Sequence, residues 1–143
     1  MCLEDAFAHA KRRIAFGKPL IEQPVIRHKL TQVAREIEAL QSWCETLTYE
    51  QSQLTTEQSN VATGGRCVLL KAHAGIVFEK SARECLQMLG GLSLTKGGTG
   101  ERIERLYREV QMMCVPGGSE NVLLDLGCKQ EIKLVQIRSK GKL

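Results

Sequence analysis

The sequence predicts an all-α fold, an up-and-down helical bundle, on three observations. Aromatic residues make up only 4% of the 143 positions while 43% are hydrophobic. The apolar content therefore rests on Leu, Ala, Val and Ile, which suit helix-on-helix packing better than a sheet of bulky β-formers. Between Ile26 and Leu47 apolar residues recur at the alternating spacing of one helical face. Glycine and proline then punctuate the chain at Gly17-Lys18-Pro19, Gly90-Gly91 and Pro116-Gly117-Gly118, dividing it into helices joined by tight connections. A chain of this length suits one globular domain with a substantial core.

In the first segment Leu3, Phe7, Ala10 and Ile14 share a face with no cap or loop ahead of them, so the chain is expected to begin inside a helix. That helix should end near Phe16-Gly17, where glycine takes the left-handed conformation and Pro19 cannot continue the ladder. Pro24 suits the first turn of a long amphipathic helix reaching about Glu57. Its stripe runs through Ile26, Leu30, Val33, Ile37, Leu40, Cys44 and Leu47; Trp43 widens the buried face, and Arg35, Glu36 and Glu45 fall outside it. A second long helix is expected from about Ser59 to Gly90, with Leu70, Ala74, Val77, Cys85 and Met88 on one side and first turns weakened by Gly64 and Gly65. A glycine-rich loop from Gly91 to Gly100 leads to a shorter helix carrying Ile103, Leu106, Tyr107 and Val110. A last helix starts at Ser119, read as its N-cap, with Glu120 in the first turn and Val122, Leu123 and Leu126 facing inward. Residues 1–129 form the expected bundle, and residues 130–143 a tail or an extension of the last helix.

The net charge of +4 comes from 20 basic and 16 acidic residues scattered along the chain, too weak an excess for nucleic-acid binding. Cys2, Cys44, Cys67, Cys85, Cys114 and Cys128 form no C-x-x-C pair and fall mostly on apolar stripes, the pattern of reduced core cysteines. This points to a reducing, intracellular compartment, with mitochondrial, peroxisomal and cytoplasmic placement all open. No stretch reads as long and apolar enough to span a bilayer, and the N-terminus lacks a signal-peptide pattern, so a soluble chain is expected. The ending Gly141-Lys142-Leu143 is only loosely similar to a peroxisomal address.

No self-contained active site is legible. Gly97-Gly98-Thr99-Gly100 has no preceding strand, which a phosphate-cradling glycine motif requires, and reads as a flexible loop. His9, His28 and His73 are far apart, without carboxylate or cysteine at ligand spacing. They read as surface or hydrogen-bonded histidines, and no metal site is expected. No nucleophile has a base at recognisable spacing.

Four segments in register carry a family resemblance. Arg13-Ile14-Ala15-Phe16-Gly17-Lys18 resembles an R-x-x-F-G-K turn, and Gln87-Met88-Leu89-Gly90-Gly91 a Q-x-x-G-G segment. Ile103-Glu104-Arg105-Leu106-Tyr107-Arg108-Glu109 resembles a V-E-R-x-x-R-D helix, and Gly117-Gly118-Ser119-Glu120-Asn121-Val122 an E-G-T-S-x-I corner. Together they resemble the C-terminal helical domain of the flavin-dependent acyl-CoA dehydrogenases over the chain up to about Lys129. The resemblance implies a bundle that serves as oligomer core, as homodimer or homotetramer, and that completes a flavin adenine dinucleotide (FAD) site shared between subunits. By position, Arg13 would contact the pyrophosphate and Phe16 would pack near the adenine. Gln87 and the Gly90-Gly91 backbone would meet the dinucleotide, and Ser119 and Asn121 would approach the flavin. A guanidinium supplies a bidentate fork, and glycines let backbone N–H groups come close to phosphate.

The implied activity is oxidation of an acyl-CoA substrate to its trans-2-enoyl form. Gly117 stands where many members carry the catalytic glutamate, so no catalytic residue is assigned and the chain alone is expected to be inactive. Pro24 replaces a glutamine that often holds the cofactor, Ala15 replaces a common hydroxyl residue, and the loop after Gly91 is longer than usual. The alternative reading is a non-catalytic helical oligomerisation module using the Ile26–Leu47 and Leu70–Met88 stripes.

Overall fold

A computed structural model describes residues 1–140; Gly141, Lys142 and Leu143, and with them the loose peroxisomal resemblance, lie outside the described residues. The fold is all-α. Among the described residues there are five α-helices: α1 (Cys2–Arg12), α2 (Pro24–Ser52), α3 (Thr56–Leu89), α4 (Glu101–Cys114) and α5 (Glu120–Ser139). The chain divides into two compact units. The first comprises Met1–Glu38 and Ile76–Met113, the second Ala39–Gly75 and the described part of Cys114–Leu143.

In the first unit, Ala6 and Ala10 of α1 meet Ile26 and Leu30 of α2, Cys85 and Met88 of α3, and Ile103 of α4. Ile103 is fully buried, which stabilises the unit by about 1.5–3 kcal/mol. The two alanines of α1 leave no bulk beyond a methyl, so α1 lies close against this core. Charged groups at its border are paired. Lys29 Nζ lies 2.5 Å from Glu84 Oε2, Lys80 Nζ 2.5 Å from Glu36 Oε1, and Arg102 Nη2 2.6 Å from Asp5 Oδ1. Cys85 is buried in this core, and burial pushes its thiol up to about 12, so it is an inert packing group.

In the second unit Leu47, Thr63, Ala72, Leu123 and Leu134 are buried, and Arg66 pairs with Glu50. Gly65 and Gly127 set the spacing between α3 and α5. A Cβ on Gly127 would sit 2.7 Å from Leu69 Cδ2, and one on Gly65 would collide with the Glu131 carboxylate. Expected only as a weakness of the helix start, Gly65 is required by the close approach of α5. The Trp43 ring lies half-buried, 5.9 Å from that of His73.

Several boundaries differ from the sequence reading. α1 stops at Arg12, not near Phe16-Gly17, because a small antiparallel pair, β1 (Ile14–Ala15) and β2 (Lys18–Pro19), takes over. Ala15 pairs with Lys18, leaving Phe16 (φ 54) and Gly17 (φ 77) as the two residues of the turn. Two positive φ values in a two-residue hairpin are the signature of a type I′ turn. α2 ends at Ser52, because Thr55 starts a new helix. Gln58 N–H donates to Thr55 Oγ1 and Thr55 N–H to Gln58 Oε1, at 3.4 and 3.1 Å. This is a reciprocal capping box. The 91–100 loop is largely ordered as 3₁₀ turns at Gly90–Leu94 and Gly98–Gly100. α5 runs on through residues 130–139. Ser119 does occupy its N-cap position, but its side chain makes no capping hydrogen bond.

Cys44, placed by periodicity on an apolar stripe, is exposed, as is Cys128, and none of the six cysteines is in a disulfide. Of the face expected on α5, only Leu123 is buried; Val122 and Leu126 face outward. The expectation that no stretch could span a bilayer is also corrected. Within Thr56–Leu94 one window reaches a mean hydropathy of 1.2, long and apolar enough by length and composition. The apolar run Cys67-Val68-Leu69-Leu70 and the alanines and glycine after it raise that average. Two charges of α3, Arg66 and Lys80, are matched by partners on α2, and a bundle's core helix meets the same criterion.

Candidate functional site

A cavity lies in the first unit, where the end of α1 and the end of α3 come together. Arg13 follows α1 in an extended conformation (φ −73, ψ 121), its backbone N–H donating to His9 O at 2.9 Å. The guanidinium thus leaves the helix at its last turn. α3 ends because Gly90 adopts φ 59, the left-handed conformation that terminates helices at little cost for glycine. The backbone then enters the 3₁₀ turn Gly90–Leu94. Ser93, 1% exposed, locks this corner: its Oγ donates to Gly90 O at 2.7 Å and reaches Leu86 O at 2.9 Å.

Between these corners lies a cavity of about 460 Å³ whose walls include His9, Arg13, Ala15, Leu20, Gly90 and Gly91. The structure therefore brings together Arg13, Gly90 and Gly91 of the residues singled out from sequence. Phe16 does not line the cavity; at the tip of the hairpin it is 96% exposed. Gln87 is not on the wall either, and its Oε1 accepts a 3.0 Å hydrogen bond from Lys29 Nζ. Ser119 and Asn121 are exposed at the start of α5, in the second unit. Gly117 has φ 81 in the turn before α5, and carries no side chain that could act as a base.

Two features of the cavity point outward, to a ligand. Among the described residues no carboxylate lies within ion-pair distance of the exposed Arg13, so its guanidinium is available to an anion. Gly91 has no positive φ, and a Cβ there would meet nothing within 4 Å. Nothing inside the chain thus explains a glycine at 91. A group approaching its backbone from outside would.

His9 is the residue that sequence reasoning missed. Expected at the surface or hydrogen-bonded, it is 7% exposed and lies on the cavity wall, and no hydrogen bond engages its ring among the described residues. Burial, with the nearby Arg13 and Arg12 charges, lowers its pKa, so the imidazole is held neutral. Its position one helical turn before Arg13 was the available signal. Ser93 was also passed over, since its role depends on carbonyls exposed by the end of α3. A second cavity of about 530 Å³, beside Leu3, Phe7, Ile21 and Leu30, is apolar.

The family profile for "Acyl-CoA dehydrogenase, C-terminal domain" matches residues 1–131. This chain belongs to the acyl-CoA dehydrogenase family. It is 37% identical over 140 residues to an acyl-CoA dehydrogenase of Emericella nidulans, covering 98% of this chain and 32% of that protein. It is also 37% identical over 135 residues to one of Alternaria alternata, covering 93% of this chain and 31% of the relative. Among solved structures, a putative acyl-CoA dehydrogenase from Mycobacterium smegmatis superposes with a TM-score of 0.81 at 23% identity, over 91% of this chain and 32% of that one. Butyryl-CoA dehydrogenase from Megasphaera elsdenii gives 0.73 at 24%, over 92% and 32%. These likenesses show the same fold. The chain spans about a third of the length of the curated acyl-CoA dehydrogenases it matches. It corresponds to their C-terminal helical domain, in a family that uses a flavin.

Proposed function

We propose that this chain forms the dinucleotide-holding helical domain of an FAD-dependent acyl-CoA dehydrogenase and supplies its oligomer interface. The single observation that carries this reading is the cavity where the unpaired Arg13 guanidinium meets the open Gly90-Gly91 backbone. A diphosphate is dianionic and rich in acceptors; a guanidinium fork complements it, and the Gly90-Gly91 segment, without side chains, leaves room for its approach. When bound, the flavin supplies the hydride acceptor for converting an acyl-CoA to its trans-2-enoyl form. The residues here bind and orient: Arg13 fixes the phosphate charge, the glycines admit close approach, and Ser93 holds the Gly90 corner in shape. Gly117 takes no proton. The α-proton acceptor is some other group of the enzyme.

Association with a second copy is supported by the exposed apolar residues of α5, where Val122, Ile132 and Val135 are 59%, 53% and 64% exposed. Outward-facing apolar residues repeated along one helix mark an interaction surface. The compartment is proposed to be a reducing one, on six cysteines of which none forms a disulfide. Absorbance of the purified full-length protein tests the reading: a yellow oligomer holding about one flavin per subunit is expected. A colourless, well-folded oligomer would instead establish a non-catalytic association module.

A further inference from the structure

His9 and Arg13 stand one turn apart at the end of α1, joined by the 2.9 Å backbone hydrogen bond from Arg13 N–H to His9 O, and both line the same cavity. No hydrogen bond engages the His9 ring among the described residues, and its nitrogens are not among the side-chain atoms cut off from water, so they stay reachable from the cavity. The residue as a whole is 7% exposed and lines the cavity. The remaining walls, Ala15, Leu20, Met88, Leu89, Gly90, Gly91 and Leu92, offer no titratable side chain. Burial first, and then the nearby Arg13 and Arg12 cations, lower the pKa of His9.

We propose that His9 is a second phosphate-binding residue beside Arg13, taking up one proton from solvent as the diphosphate of the ligand enters. This rests on the reading of the cavity as a dinucleotide site. A diphosphate brings to this cavity the negative charge it otherwise lacks: it offsets the two arginines and favours the imidazolium, which donates a charge-assisted hydrogen bond to a phosphate oxygen. Because the bound-state pKa of His9 then lies above its free-state value, binding is strengthened on the acid side. The gain is lost as pH rises through the bound-state pKa.

The test is calorimetric titration of the full-length apoprotein with FAD at about pH 6 and about pH 8, in buffers of different ionisation enthalpy, which count the protons taken up. The wild type should take up a proton near neutrality and bind more weakly at the higher pH. His9→Gln, which cannot titrate, should weaken binding about tenfold at the lower pH, show less effect at the higher pH, and abolish the uptake. His9→Asn serves as a second neutral variant, and the wild-type proton count needs no variant at all. If Arg13→Ala weakens FAD binding while His9→Gln leaves affinity and uptake unchanged, or if the wild type takes up no proton, the role of His9 is overturned and the site stands. If neither Arg13→Ala nor His9→Gln alters FAD binding, the cavity is not the dinucleotide site and both statements fall.

Discussion

Ser93→Ala probes the coupling between fold and site most sharply, because one buried hydroxyl holds the corner at which α3 ends. Its Oγ sits 2.7 Å from Gly90 O and 2.9 Å from Leu86 O, and the residue is 1% exposed. Alanine removes the hydroxyl that reaches these two carbonyls at a buried position. The loss should be about 1–3 kcal/mol, the range for a buried polar group left unsatisfied. In a domain of this size each kcal/mol lowers Tm by roughly 2–4 °C. The control is Thr95→Ala, whose exposed Oγ1 reaches Leu92 O at 3.2 Å and which should cost no more than about 0.5 kcal/mol. Thermal unfolding followed by circular dichroism gives the stability difference, and flavin retention on a desalting column reports the cavity. Because Gly90 and Gly91 line that cavity, Ser93→Ala should shed flavin at temperatures where its helices remain intact. Identical melting and identical retention for the two variants would refute the idea that Ser93 shapes the site.

Acid titration and the turn before α5 offer two further checks. Arg66 holds the Glu50 carboxyl below the usual range, so the pair's stabilisation is present above the ordinary glutamate pKa and lost as pH falls through the lowered value. The pair is about a third exposed, so the Tm gap between wild type and Arg66→Ala should be small near neutrality and should close as the pH falls below the ordinary glutamate range; a gap independent of pH would exclude the pair. Gly117→Glu, which puts a carboxylate where many relatives carry the catalytic base, forces a non-glycine residue to φ 81. It should destabilise the protein by about 1–2 kcal/mol, measured by urea unfolding against Pro116→Ala as control, and a stability equal to the control's would show that the turn relaxes freely.

The all-α class and the long helices were legible because they rest on periodicity, which is a property of sequence alone. The stripe residues Ile26, Leu30, Val33 and Leu47 are buried as their spacing requires, and Gly90 ends α3 within a residue of its expected place. Boundaries set by local hydrogen bonds were less legible. By sequence the first long helix reaches about Glu57 and the next begins about Ser59, so the reciprocal Thr55–Gln58 bonds that set the actual start fall at the end of the first. The Phe16-Gly17 hairpin was hidden because a positive φ at phenylalanine is not signalled by its side chain. Periodicity also cannot tell which apolar face meets its own chain, which is why Val122 and Leu126 were placed inward and are exposed. At the site, Arg13, Gly90 and Gly91 were found through motif spacing. His9 was not, because its importance comes from burial and from sharing a wall with Arg13, both products of tertiary packing.

The claim that the cavity at the ends of α1 and α3 receives the diphosphate of FAD is tested most directly by titrating FAD into the full-length protein carrying Arg13→Ala, with Arg12→Ala beside it. Arg13 lines the cavity and Arg12 does not. Loss of a charged hydrogen bond of about 1.5–3 kcal/mol should weaken FAD binding roughly ten- to more than a hundredfold in Arg13→Ala. Arg12→Ala should stay within about twofold of the wild type, with helix content unchanged in both. If Arg13 merely complements the end of α1, its removal costs about 0.3–1 kcal/mol of stability and leaves the cofactor untouched. Equal, small changes in FAD affinity for the two variants would contradict the account.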